Sequence, residues 1–215
     1  MSKRFVYIIV LTMMIASFSA VATPARAADS ASLFAGLTVD ADFTDMDDSS
    51  CVDTNITVLA SKSIRIDLPD KTLERGAGIN VFISQFNVCQ GNQVLSVFGG
   101  TTIPSSTLRV ALDLSSARLS STTVQMTGES TPGTPVEFPV QVALKWNATG
   151  SAHTENSDII FQDQSCTVGT LFKGRSRDAT TTGSVIMDGS NLIQSSSDFA
   201  RIGFAREGSF VIGCE

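Results

Sequence analysis

Apolar and polar residues alternate along most of this chain. A period of two is the pattern of a strand with one face buried. Leu33, Ala35, Leu37, Val39, Ala41 and Phe43 fall on one face, and Val52, Thr54, Ile56, Val58 and Ala60 do the same further on. Ile64, Ile66 and Leu68 continue that second series. Ile79, Val81 and Ile83 alternate with Asn80, Phe82 and Ser84, so this strand has apolar residues on both faces and is expected to be central. Residues 94–98 follow the turn sequence Cys89-Gln90-Gly91-Asn92, as in a hairpin. Strands are also predicted over 108–114, 119–126, 159–161, 167–172, 179–187, 199–204 and 210–214. The longest alternation sets Val136, Phe138, Val140, Val142, Leu144 and Trp146 against Glu137, Pro139, Gln141, Ala143, Lys145 and Asn147. Pro139 lacks a ladder N–H, which predicts an edge or a bulge there. Residues 70–76 read as one short helical turn, with Asp70 as N-cap and Gly76 as terminator.

About a dozen short strands joined by Gly, Ser, Asn and Asp turns predict an all-β, antiparallel β-sandwich, with a closed or partly open β-barrel as the alternative. Residues 128–135, Gly-Glu-Ser-Thr-Pro-Gly-Thr-Pro, are the best linker and could divide two sandwich domains. A single domain over 28–215 is preferred, because a split would leave strand edges on both sides to protect.

The start of the chain departs from the alternation. Lys3 and Arg4 precede an apolar run over 5–21, and Ala25-Arg26-Ala27 follows as a cleavage sequence. This is the layout of a secretory signal peptide over 1–27. It predicts a secreted or periplasmic protein with no membrane span after cleavage. In such a compartment the four cysteines, Cys51, Cys89, Cys166 and Cys214, read as two disulfides with three connectivities open. Cys51–Cys89 and Cys166–Cys214 are favoured, one bridge in each half. No C-x-x-C pair supports zinc or a redox thiol pair.

Charge narrows the partners. Charged residues make up 17% of the chain and its formal net charge is −6. Three of the bases, Lys3, Arg4 and Arg26, lie in the leader, so the rest is more acidic still. Binding to nucleic acid needs clustered Lys and Arg, and anionic membrane surfaces attract polybasic segments. The balance argues against both.

Several short stretches carry a resemblance. They are Cys51-Val52-Asp53-Thr54, the run over 81–86 leading to Cys89, Ser115-Ser116-Ala117-Arg118-Leu119, Phe138-Pro139-Val140 with Leu144-Lys145-Trp146, the run over 174–179, and Gly183-Ser184-Val185. Together, over about residues 51–185, they resemble a group of secreted bacterial β-proteins with no known activity. The resemblance implies one all-β domain and an extracellular location. It implies no catalytic residues, and Cys166 and Cys214 stand outside its pattern.

Candidate chemistry is sparse. Asp40, Asp42, Asp45, Asp47 and Asp48, with Asp53 beyond, form the densest acidic group, and no Lys or Arg occurs between Arg26 and Lys62. Calcium takes several oxygen ligands from such loops, so a Ca²⁺ site is one reading and a solvated acidic loop is the other. Lys173, Arg175 and Arg177 alternate and would line one strand face. That stripe could bind an anionic glycan, or lie wet with acids opposite across the ladder. His153 follows Ser151, but no G-x-S-x-G elbow exists and a loop histidine is expected. Asp113, Glu129, Glu137 and Asp178 are the carboxylates that a glycan hydrolase could pair.

The sequence thus predicts a non-catalytic extracellular or periplasmic binding or structural module. Its ligand would be a glycan or a protein. The rivals are a glycan-active hydrolase and a Ca²⁺-stabilised surface module.

Overall fold

The structure is a computed structural model that describes residues 30–47, 51–68, 70–131, 133–162 and 166–212. The expected leader, Asp48 and Cys214 lie outside these residues, and of Asp47 only the backbone is described. Every regular element among the described residues is a strand. In chain order they are β1 (Ser30–Asp47), β2 (Val52–Leu68), β3 (Thr72–Asn87), β4 (Asn92–Thr102), β5 (Leu108–Val110), β6 (Ser116–Ser130), β7 (Thr134–Ala148), β8 (His153–Gln162), β9 (Thr167–Met187), β10 (Ser190–Asn191) and β11 (Phe199–Ile212).

All pairings are antiparallel. Hydrogen-bonded neighbours run from β1 through β2, β3, β4, β6, β7, β9 and β11 and return to β1, a ring of eight strands. β5 pairs with the start of β6, while β8 and β10 pair with β9. Several strands are longer than the alternation alone predicts. The stretches 167–172 and 179–187 are one strand of 21 residues, and 199–204 continues unbroken as far as Ile212. Lys62 stands on the apolar face of β2, so the charge interrupts the pattern without ending the strand.

The expected helical turn at 70–76 is not formed. Lys71 takes a positive φ of 54° in a tight turn, and residues 72–76 pair with 63–67 of β2. So short a helix carries the cost of nucleation with almost no hydrogen bonds in return. The hairpin pairs the same backbone groups directly. The stretch at 128–135 is also a hairpin. Thr131 and Gly133 turn with φ of 50° and 91°, and the β6–β7 register holds down to Ser130–Thr134. Pro139 stands where β7 is paired to β6 alone, since the β7–β9 ladder begins at Val140. Its missing N–H therefore leaves no gap on that side.

Alternate side chains of the ring form the core. β1 contributes Val39, Ala41 and Phe43; β2 contributes Ile56, Val58 and Ala60; β3 contributes Ile79, Val81 and Ile83. From the other side come Val124 and Met126 of β6, Val142, Leu144 and Trp146 of β7, and Val185 of β9. Trp146 is fully buried and its Nε1–H donates to the backbone carbonyl of Asp40 at 2.8 Å, joining β7 to β1 across the core. At one end of the ring, Cys51 and Cys89 are disulfide-bonded with their Cα atoms 5.6 Å apart, and the Val88 amide donates to the Cys51 carbonyl. The bridge ties the β1–β2 turn to the β3–β4 turn. Closing this loop of 38 residues contributes about 4 kcal/mol in the chain-entropy account. Cys166 is also disulfide-bonded.

Candidate functional site

Five ring strands run on past the buried core. There β8 replaces β7 as the neighbour of β9, giving a six-stranded sheet in the order β8, β9, β11, β1, β2, β3. Residues directly opposed across a ladder share a face, so the register fixes what this sheet presents on its core-facing side.

The row at the edge of the core is Arg177, Ile202, Val39, Ala60, Ile79. The next is Thr154, Arg175, Phe204, Leu37, Lys62, Ala77. Beyond it lie Asn156, Lys173, Arg206, Ala35, Ile64, Arg75, and then Asp158, Leu171, Gly208, Leu33, Ile66, Leu73. The following row holds Ile160, Gly169, Phe210 and Ala31, with Gln162, Thr167 and Ile212 beyond it.

Six bases, Lys62, Arg75, Lys173, Arg175, Arg177 and Arg206, thus stand on one face, with Asp158 the acid in these rows. The reverse face of the same strands is mixed, with Arg65 paired to Asp67 at 2.9 Å and Glu74, Glu155 and Glu207 nearby in the register. Two of the six bases are tied to backbone. Lys62 Nζ donates to the Ser105 carbonyl at 3.1 Å, and Arg177 donates twice to the Gly150 carbonyl, at 3.2 and 2.7 Å. Among the described residues, the side chains of Arg75, Lys173, Arg175 and Arg206 make no hydrogen bond or ion pair. Lys173 directly opposes Arg206, a like-charge pair that costs stability. The exposed Asp113 carboxyl lies within reach of Arg177's field and is held below its usual range, first by hydrogen bonds from Ser115 and last by that charge.

Lys173, Arg175 and Arg177 therefore do share a strand face. The acids expected opposite them are absent: the facing residues are Asn156 and Arg206, Thr154 and Phe204, and Ile202. Lys62, Arg75 and Arg206 were not legible as members of this group. Lys62 did leave a signal, since it interrupts the apolar series of β2 between Ala60 and Ile64. Arg75 was hidden in the expected helical turn, and Arg206 lay in an expected gap between strands.

The acidic group is divided by the same register. Asp40 and Asp42 lie on the outward face of β1, and Asp45 falls on the opposite parity. Asp40 pairs with Arg201 at 3.5 Å, and Asp42 accepts from the Thr57 hydroxyl at 2.6 Å. Burial pushes the Asp40 carboxyl up from its ordinary value, against the pull of Arg201. Among the described residues, no three His, Cys, Asp or Glu side chains gather as a metal-holding group. His153 opens β8 and does not sit in a loop; its Nε2 is 4.0 Å from Asp178. Asp113, Glu129, Glu137 and Asp178 are all exposed.

A second, smaller basic group lies on the outward face. Arg109 opposes Arg118, which opposes Lys145, beside a cavity of about 400 Å³.

No protein-family model matches the chain, and no curated protein matches its sequence.

Proposed function

We propose that this protein is a secreted, non-catalytic binding module that holds an anionic extracellular ligand on the core-facing side of its six-stranded sheet. The carrying observation is the register that gathers six bases on one face of a chain whose formal charge is −6. Like charges set directly opposite each other, as Lys173 and Arg206 are, destabilise a sheet, and a bound anion offsets that cost. The Cys51–Cys89 disulfide fits an extracellular location. Rigid strands fix the backbone positions of the bases, so the order lost on binding is confined to their side chains.

The test is calorimetric titration with dextran sulfate over a range of salt. Binding should weaken as salt rises, because the term is electrostatic. Lys173→Glu with Arg206→Glu should abolish it, while Arg118→Glu with Lys145→Glu, the same charge change on the outward face, should reduce it less than twofold. Salt-independent binding, or equal loss in the two variants, would overturn the reading.

A further inference from the structure

The cations occupy only part of the face. The next two rows outward from Lys173, Arg206 and Arg75 carry Leu171, Leu33, Ile66 and Leu73, with Asp158 at the β8 edge, then Ile160 and Phe210. None of these six apolar residues is buried; Leu73 is 51% exposed and Ile160 59%. The cationic belt lies between this apolar surface and the core. From the belt to the row of Ile160 and Phe210 is four residues along a strand, roughly 13 Å. A purely polar anion engages the belt and leaves the apolar rows wet. A ligand with an anionic head and a hydrocarbon tail engages both.

We infer that the ligand class is an anionic amphiphile taken up as single molecules, its head on the belt formed by Lys173, Arg206 and Arg75 and its chain along the apolar rows. This rests on the reading of the face as an anion site. Charge distinguishes the single molecule from a lipid bilayer. The chain is acidic overall, and Arg65, Asp67, Glu74, Glu155 and Glu207 mix both signs on the reverse face. An anionic bilayer meets that whole field, whereas one small molecule meets only the local belt.

The experiment titrates the full chain by calorimetry with inorganic phosphate, octyl phosphate and dodecyl phosphate, each below its micelle concentration, and with dodecyl maltoside as the neutral control. A fully buried methylene is worth about fourfold in affinity, so a chain lying half-covered on a sheet should give dodecyl over octyl phosphate at least tenfold. Dodecyl maltoside should bind at least tenfold more weakly than dodecyl phosphate. Lys173→Glu with Arg75→Glu should remove the preference for charge. Leu73→Ser with Ile160→Ser, both at exposed positions where the fold tolerates change, should shrink the chain-length increment and leave dextran sulfate binding as it was. Equal affinities for octyl and dodecyl phosphate, with dextran sulfate still bound, would overturn the amphiphile and leave the anion site standing. Failure of every anion, dextran sulfate included, would overturn both. Binding to vesicles of phosphatidylcholine and phosphatidylglycerol without binding to monomeric dodecyl phosphate would also overturn the inference.

Discussion

The two halves of β1 share one pattern and have opposite fates. Val39, Ala41 and Phe43 are buried, while Leu33, Ala35 and Leu37, on the same face of the same strand, are only half-covered. β2 divides likewise between Ile56, Val58 and Ala60 and the half-covered Ile64 and Ile66. The difference lies across from them. In the first half β6 and β7 close the ring and bring Met126, Leu144 and Trp146 over the strands. In the second half the chain adds β8 to the side of β9 and leaves the face open. Alternation reports which way a side chain points; a separate decision of the fold determines whether anything covers it.

If the closed half is the stable one, its losses should be large. Trp146→Ala removes a fully buried aromatic and its hydrogen bond to the Asp40 carbonyl. It should cost about 5 kcal/mol, read as a fall in the urea midpoint. Trp146→Phe should cost clearly less, and equal losses would show that packing there is loose. Replacing Cys51 and Cys89 together by Ser should cost about 4 kcal/mol if the unfolded chain is the state the bridge restrains. A loss below about 1 kcal/mol in the same unfolding series would move the stabilisation elsewhere.

Gly128 is the next step down. A Cβ there would lie 2.1 Å from the Ser96 carbonyl oxygen, so strands β4 and β6 approach too closely for any side chain. Gly128→Ala should cost about 1–3 kcal/mol, since backbone must move to admit it. In the open half, Leu73→Ser should change stability by no more than about 0.5 kcal/mol. A large loss there would mean the face is covered in solution.

The smallest effect is on the outward side. Burial raises the Asp40 pKa, so the folded state favours the protonated carboxyl more than the unfolded chain does. The associated stability is present at pH below the ordinary carboxylate range and is lost as pH rises through the raised value. Asp40→Asn should flatten that segment of the curve of urea midpoint against pH. An unchanged slope would assign the pH dependence to other carboxylates.

Much of the strand content could be read from the chain, because burial on one face imposes a period of two wherever it occurs. The stripe Lys173, Arg175, Arg177 was visible for the same reason, as three bases two residues apart. The companions of that stripe were not. Arg206 comes beside Lys173 through the β9–β11 ladder, and Arg75 joins the same row through β1 and β2. Nothing local to residues 75 or 206 records that pairing. The acidic run failed in the opposite sense. Asp40, Asp42 and Asp45 are close in sequence, yet the parity of β1 sends them to two faces.

The sequence by itself determined the all-β class and the faces of the individual strands. Those follow from interactions between residues two apart, which any short window contains. The return of β11 to β1, the open face beyond the core and the gathering of six bases on it were decided only by the tertiary structure. Register between strands is set by hydrogen bonds and packing between residues more than a hundred positions apart, such as Ala35 and Arg206, and a one-residue slip would have turned each base to the other side.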